Sequence, residues 1–287
     1  MALKDLLVYL DETPGSLLRL RLAADLARRH GSRLAALYLR EWTPQQLAQR
    51  QAAELAGRPF EDVQQLHFDI EAAIDVTEGR LRTELERLAS EHNLVAEWRS
   101  VEGQPMDVLP QHARYADLTV LDVNTPSVST AAGYHFSEEM LFVAGRPVLF
   151  VPPLGNLHTL GRQVAIAWNS SRAAARSVHD ALPIIEKADE VSVLAVNPAD
   201  FIGRHGALPL PQLIEHLGRH GAAARAVEVE GVPAGQIGDE LQSRARALGA
   251  DLLVAGAYGH SRLREILMGG VTRDLLARMT IPIMMSY

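Results

Sequence analysis

The chain has no cysteine among its 287 residues and only two lysines, Lys4 and Lys187. The first absence excludes disulfides, thiol catalysis and cysteine-based zinc or iron–sulfur sites. The second removes the Walker P-loop, because neither lysine follows a glycine and the usual phosphate-clamping Gly-Lys pair does not occur. No apolar run approaches the ~20 residues needed to span a bilayer. The N-terminal stretch MALKDLLVYLDETPG also lacks the apolar core and cleavage site of a signal peptide. A cytoplasmic protein with no membrane partner is the expectation. A formal net charge of -7 argues against a nucleic-acid backbone as the partner.

What is present is the balance of a folded domain, 47% apolar and 22% charged residues, and the chain repeats itself. Leu6–Leu10 is a short apolar run ending at Asp11, followed by a helical stretch from Pro14 to His30 and the run Leu34–Leu39. Val164–Trp168 ends at Asn169 and is followed by a helical stretch from Arg172 to Lys187 and the run Val191–Val196. Later, Ala116–Leu121 parallels Ala250–Ala255, and Gly145–Phe150 parallels Thr280–Met285. Asp11 and Asn169 are 158 positions apart and Asp117 and Asp251 are 134 apart, so the N-terminal half holds about 24 extra residues. They fall in the helical stretch Pro44–His92. Short continuous apolar runs alternating with helical patterns indicate a parallel sheet covered on both faces.

We therefore expect an α/β fold of two tandem doubly wound, Rossmann-like domains, residues 1–151 and 163–287, joined by the Pro- and Gly-punctuated linker Pro152–Asn156. Two superposable five-stranded sheets, rather than one continuous sheet, follow from this reading. In such sheets ligands bind outside the carboxyl ends of the strands, where strand order reverses. The strand Leu252–Ala255 runs there into Gly256, Gly259, Gly269 and Gly270, and then Val271-Thr272 opens a helical stretch. Glycines let the backbone approach a ligand closely, and main-chain N–H groups at a helix start can cradle phosphate.

The spacing Gly256-x2-Gly259-x9-Gly269 resembles the nucleotide motif of the universal stress protein family, and the whole chain looks like a tandem member. The resemblance implies an adenine nucleotide alpha-hydrolase-like fold and ATP or a related adenine nucleotide, with Mg²⁺ as companion. It implies a stress-response binding and signalling module, with at most weak ATPase activity and no catalytic or metal-ligating residues. The nucleotide residues it points to are Ala167, Asn169, Val196, Ala255, Gly256, Gly259, Gly269, Gly270, Val271 and Thr272. Asn169 stands where family members usually have Asp for the adenine, and Gly270 stands where they have Ser or Thr. The last strands, Val148–Val151 and Ile283–Ser286, would pair across a pseudo-twofold axis, an intramolecular pseudo-dimer that leaves a homodimer open. In the N-terminal half the matching stretch, Leu121-Asp122-Val123-Asn124, has no glycine series, and Asp122 would place negative charge at the phosphate position. That half is expected to be a degenerate site. A slow ATPase, a nucleotide-dependent transferase and a partner-binding protein without nucleotide are the alternatives.

Other chemistry is weakly signalled. His216 and His220 are one helical turn apart but form no HExxH, and Asn169-Ser170-Ser171 lacks the GxSxG elbow of a serine nucleophile. Surface histidines and a helix cap are the expectation.

Overall fold

The structure, a computed structural model, describes residues 2–40, 52, 60–123, 136–153, 157–199, 210–258 and 270–287. In the N-terminal half, β1 (Asp5–Leu10), β2 (Arg33–Arg40), β3 (Ala96–Glu102), β4 (Leu118–Asp122) and β5 (Val148–Val151) alternate with four helices. These are α1 (Gly15–His30), α2 (Phe60–His92), α3 (Pro105–Ala113) and α4 (Phe136–Val143). The C-terminal half repeats the order with β6 (Gln163–Ala167), α5 (Arg172–Ile185), β7 (Glu190–Val196), α6 (Leu210–Arg219) and β8 (Ala224–Val229). It closes with α7 (Ile237–Ala247), β9 (Leu252–Gly256), α8 (Val271–Ala277) and β10 (Ile283–Ser286).

The ten strands form one sheet in the order β3-β2-β1-β4-β5-β10-β9-β6-β7-β8. Pairing is parallel inside each half and antiparallel at the seam, where Ile283, Met284 and Met285 face Phe150, Leu149 and Val148. The expectation of two separate sheets is thus corrected, while the expected pairing of the last strands is present. The reason lies in the edges. Val148–Val151 and Ile283–Ser286 are buried throughout, and an unpaired strand in that position would leave a row of backbone groups without partners.

The repeated Ala-Asp landmarks have a structural cause. Asp117 accepts the main-chain N–H groups of Lys4 and Asp5 at the start of β1, and Asp251 accepts those of Arg162 and Gln163 at the start of β6. Each carboxylate fixes the register of its half's central strand against its neighbour. Two apolar layers then cover the sheet. Helices α1, α2, α5 and α6 pack on one face, and α3, α4, α7 and α8 on the other. Helix α2 has 33 residues against 10 for its counterpart α6, and it buries Ile70, Ile74, Leu81, Leu85 and Leu88 against the first face. This is where the extra residues of the N-terminal half go.

The halves also meet at the end of α1. Lys187 donates to the carbonyl of Arg29 (2.6 Å), and the Arg29 guanidinium donates to the carbonyl of Leu160. His30 lies in this contact, and burial, with the Lys187 and Arg29 charges adding to it and Asp25 opposing, lowers its pKa to about 4. A histidine with a depressed folded pKa takes up its proton more readily when unfolded. Stability is therefore lost as pH falls from the unfolded value near 6.5 towards 4. His30→Gln should flatten that limb by about 1–2 kcal/mol, allowing for solvent screening of a half-buried group. Urea unfolding at pH 7 and pH 4.5 measures it.

Candidate functional site

In both halves strand order reverses between the first and fourth strands, β1/β4 and β6/β9. The crevice outside their carboxyl ends is where a doubly wound sheet takes its ligand. The register pairs Leu6 with Leu118 and Val164 with Leu252, so Asp11 and Asp122 of the first half correspond to Asn169 and Gly256 of the second. The two crevices can be compared atom by atom.

The N-terminal crevice is filled by the chain itself. Arg19, from the second turn of α1, is 1% exposed and reaches across the strand ends. It donates to Asp122 (2.5 Å), to Asp11 (2.8 Å), to the Ser16 hydroxyl (2.8 Å) and to the Tyr9 carbonyl (3.1 Å). Asp11 also accepts from Ser16 (2.7 Å) and from both the hydroxyl and the amide of Thr13. Burial pushes the Asp11 carboxyl up, but the Arg19 charge and these hydrogen bonds outweigh it and hold the pKa below the ordinary value. Asp122 does not stand as a bare repelling charge, as the sequence suggested. It is neutralised, and the space is closed. Glycine at position 15 makes the room, since a Cβ there would lie 3.2 Å from an Asp122 oxygen and 3.3 Å from Arg19.

The C-terminal crevice has the opposite construction. The equivalent of Arg19 is Ser177, whose hydroxyl donates to the Ala255 carbonyl (2.8 Å) and accepts from the Ser286 amide (3.0 Å). Here the glycine is on the strand. A Cβ on Gly256 would stand 2.5 Å from the Ala173 carbonyl carbon and closer still to the Ala174 nitrogen. The absent side chain at 256 therefore admits the first turn of α5, a packing role beside the one expected of Gly256 in the glycine series.

The remaining expected residues fall as follows. Ala167 pairs in register with Ala255 across β6/β9 and with Leu194 across β6/β7. Val196 ends β7 and is buried with Ala255 in the layer that α7 and α8 cover. Asn169 follows β6, and its Oδ1 accepts the Ser171 amide (3.1 Å), the same turn that Asp11 makes with Thr13. Its Nδ2 has no partner among the described residues, so a donor remains for a ligand. Ser171 caps α5 by accepting from Ala174 (3.1 Å), which is the expected cap. Gly270 precedes α8 with extended backbone (φ -78°), a conformation open to any residue, so no left-handed turn explains its glycine. Thr272 is buried and its Oγ1 accepts the Tyr258 amide (3.2 Å), so it is held inside the fold. Val271 is half-buried at the start of α8. Gly259 and Gly269 lie outside the described residues.

Sequence reasoning did not see the strain at this edge. Among the described residues four non-glycines have positive φ, and three of them lie within three residues after the ends of β6, β7 and β9: Ser170 (+56°), Asn197 (+50°) and Tyr258 (+54°). Left-handed backbone is uncommon outside glycine and collects at functional sites. Asn197 is fixed by two bonds to Val232, donating to its carbonyl (2.6 Å) and accepting its amide (3.0 Å). The buried Arg19 was also missed, although an arginine among Ser16, Ala23 and Leu26 on the apolar stripe of a helix signals a charge in need of partners. The His216 and His220 rings meet edge-on with centroids 4.7 Å apart, and among the described residues no three His, Asp or Glu side chains gather as a metal set. No described helix is long and apolar enough to cross a membrane.

Comparison with known proteins bears on this geometry. The sequence model of the universal stress protein family matches residues 164–286. No curated protein matches the chain. Among solved structures, a universal stress protein from Archaeoglobus fulgidus superposes with a TM-score of 0.70 at 14% identity, over 98% of this chain and 95% of that one. A Pseudomonas aeruginosa protein described as a universal stress protein superposes with a TM-score of 0.57 at 16% identity, covering 99% and 93%. A functionally unknown protein from Pseudomonas aeruginosa gives 0.54 at 16%, covering 99% and 92%. At these identities the structural likenesses speak for the fold, and they span both halves. Residues 164–286 thus match the universal stress protein family, and over its full length the chain has the fold seen in universal stress protein structures.

Proposed function

We propose that the chain binds one adenine nucleotide, ATP or a close relative with its Mg²⁺, at the carboxyl ends of β6, β7 and β9. The asymmetry between the two crevices carries this reading. Where the N-terminal half has Asp11, Asp122 and Arg19 locked together, the C-terminal half has Asn169, Gly256 and Ser177. The described residues expected there, Ala167, Asn169, Val196, Ala255, Gly256, Gly270, Val271 and Thr272, are all uncharged, so none repels a phosphate. The unpartnered Nδ2 of Asn169 suits an acceptor on the edge of a base. Gly259 and Gly269, at the family spacing, would lie along the phosphates, and the missing hydroxyl at Gly270 costs one neutral hydrogen bond, about 0.5–1.5 kcal/mol.

The protein acts as a binding and signalling module in stress response. With no P-loop lysine to clamp the phosphates, turnover should be well below the ~1 s⁻¹ low end of ordinary enzymes. Small molecules released from the denatured, purified chain should include an adenine nucleotide, and phosphate release from added MgATP should be slow. Sustained release at several per second, lost on Gly259→Val, would replace the module with an ATPase.

A further inference from the structure

The two halves touch at one more place. Tyr258 leaves β9 in left-handed backbone, a conformation an aromatic side chain rarely adopts, so its surroundings must hold it. One hold is local: its amide donates to Thr272 Oγ1 (3.2 Å), which ties the exit of β9 to the first turn of α8. Another comes from the opposite half. The Phe142 ring of α4 packs on Tyr258 with ring centroids 4.7 Å apart and meets Tyr287 edge-on at 4.9 Å.

One turn earlier on the same helix, Glu138 accepts from Arg273 (3.2 Å), the residue after Thr272. The Glu138 side chain is 2% exposed and its second oxygen, Oε2, has no hydrogen-bond partner among the described residues. A buried carboxylate satisfied on one side only depends heavily on its cation. Glu138 and Phe142 are four residues apart, so they share one face of α4. That face grips both ends of the neck formed by Tyr258 on one side and Thr272-Arg273 on the other.

We infer that α4 of the N-terminal half is a positioning element for the C-terminal site: Glu138 and Phe142 brace Tyr258 at the exit of β9 and Thr272-Arg273 at the start of α8, and so set nucleotide affinity. The inference rests on the nucleotide reading above and assigns a task to the half whose own crevice is filled. Neither residue touches the ligand. The sequence separation explains why no local pattern announces it, since residues 138 and 142 meet residues more than a hundred positions away.

The full chain carrying Phe142→Ala, and separately Glu138→Gln, tests this by amide hydrogen exchange and by titration with MgATP. Exchange at residues 257–258 and 271–273 should quicken while β9 and β10 keep their protection, and MgATP should bind about 3- to 10-fold more weakly. Phe142→Leu, which keeps apolar contact without the ring, should fall between. Unchanged exchange at the neck overturns the brace. Quicker exchange with unchanged MgATP affinity overturns the link to binding. If the parent chain binds no MgATP while exchange at the neck still quickens, the brace stands and the nucleotide reading of the site fails.

Discussion

Replacing Arg19 by methionine should destabilise the chain by about 3–5 kcal/mol, the usual cost of removing one partner from a buried ion pair. Arg19 is the only cation bonded to Asp11 and Asp122 among the described residues, and all three side chains are nearly sealed from solvent, at 1%, 11% and 2% exposure. Methionine matches the length of the stem but offers nothing to two carboxylates. The deficit should depend on pH with a definite sign. In the parent chain the Asp11 pKa is held low, so the triad stabilises the fold above the ordinary carboxylate range and that stability is lost as pH falls. Without the arginine, burial dominates at Asp11 and its carboxyl prefers its proton. The gap between variant and parent should therefore be widest near pH 7 and should narrow towards pH 4. Urea unfolding across that range measures it. A second variant separates charge from volume: Arg19→Met combined with Asp11→Asn and Asp122→Asn should recover much of the loss.

Gly256→Ala should be nearly as damaging, at about 3 kcal/mol or more, the upper end of the overpacking range. The atoms a methyl group would meet are the main chain of Ala173 and Ala174 in the capped first turn of α5, which cannot rotate aside. Relief requires α5 to lift from β9, against the bond from Ser177 to the Ala255 carbonyl. Gly15→Ala is the matched control. Its methyl would approach Asp122 and Arg19 at 3.2 and 3.3 Å, contacts made with side-chain ends that can yield by a few tenths of an ångström. It should cost about 1 kcal/mol. Thermal unfolding of the two variants side by side should show the larger drop for Gly256→Ala. Equal drops would mean that the glycine at 256 is not there for the helix.

The strand pattern was legible because each parallel strand is a short apolar run, and the runs Val148–Val151 and Ile283–Ser286 were placed to the residue. The repeat was legible because Asp117 and Asp251 have the same task at the starts of β1 and β6. The single ten-stranded sheet was less so, since which edges join is decided by the burial of β5 and β10, and burial is a property of the assembled fold. Gly256 shows a second limit. Its place in a glycine series suggests a ligand and gives no sign of its packing against a helix that begins more than eighty residues earlier. Asp122 shows a third: a carboxylate at a strand end reads as repulsive until Arg19 is seen beside it. The left-handed residues Ser170, Asn197 and Tyr258 are none of them glycine, so nothing local in the sequence marked those turns.

The most direct measurement is the stoichiometry of MgATP binding to the full chain by titration calorimetry, for the parent and for Gly259→Val. One site per chain is expected, with affinity largely lost in the variant and unaffected by any change confined to the sealed N-terminal crevice. Two sites per chain, no site, or binding indifferent to Gly259→Val would contradict a single nucleotide held by the C-terminal half.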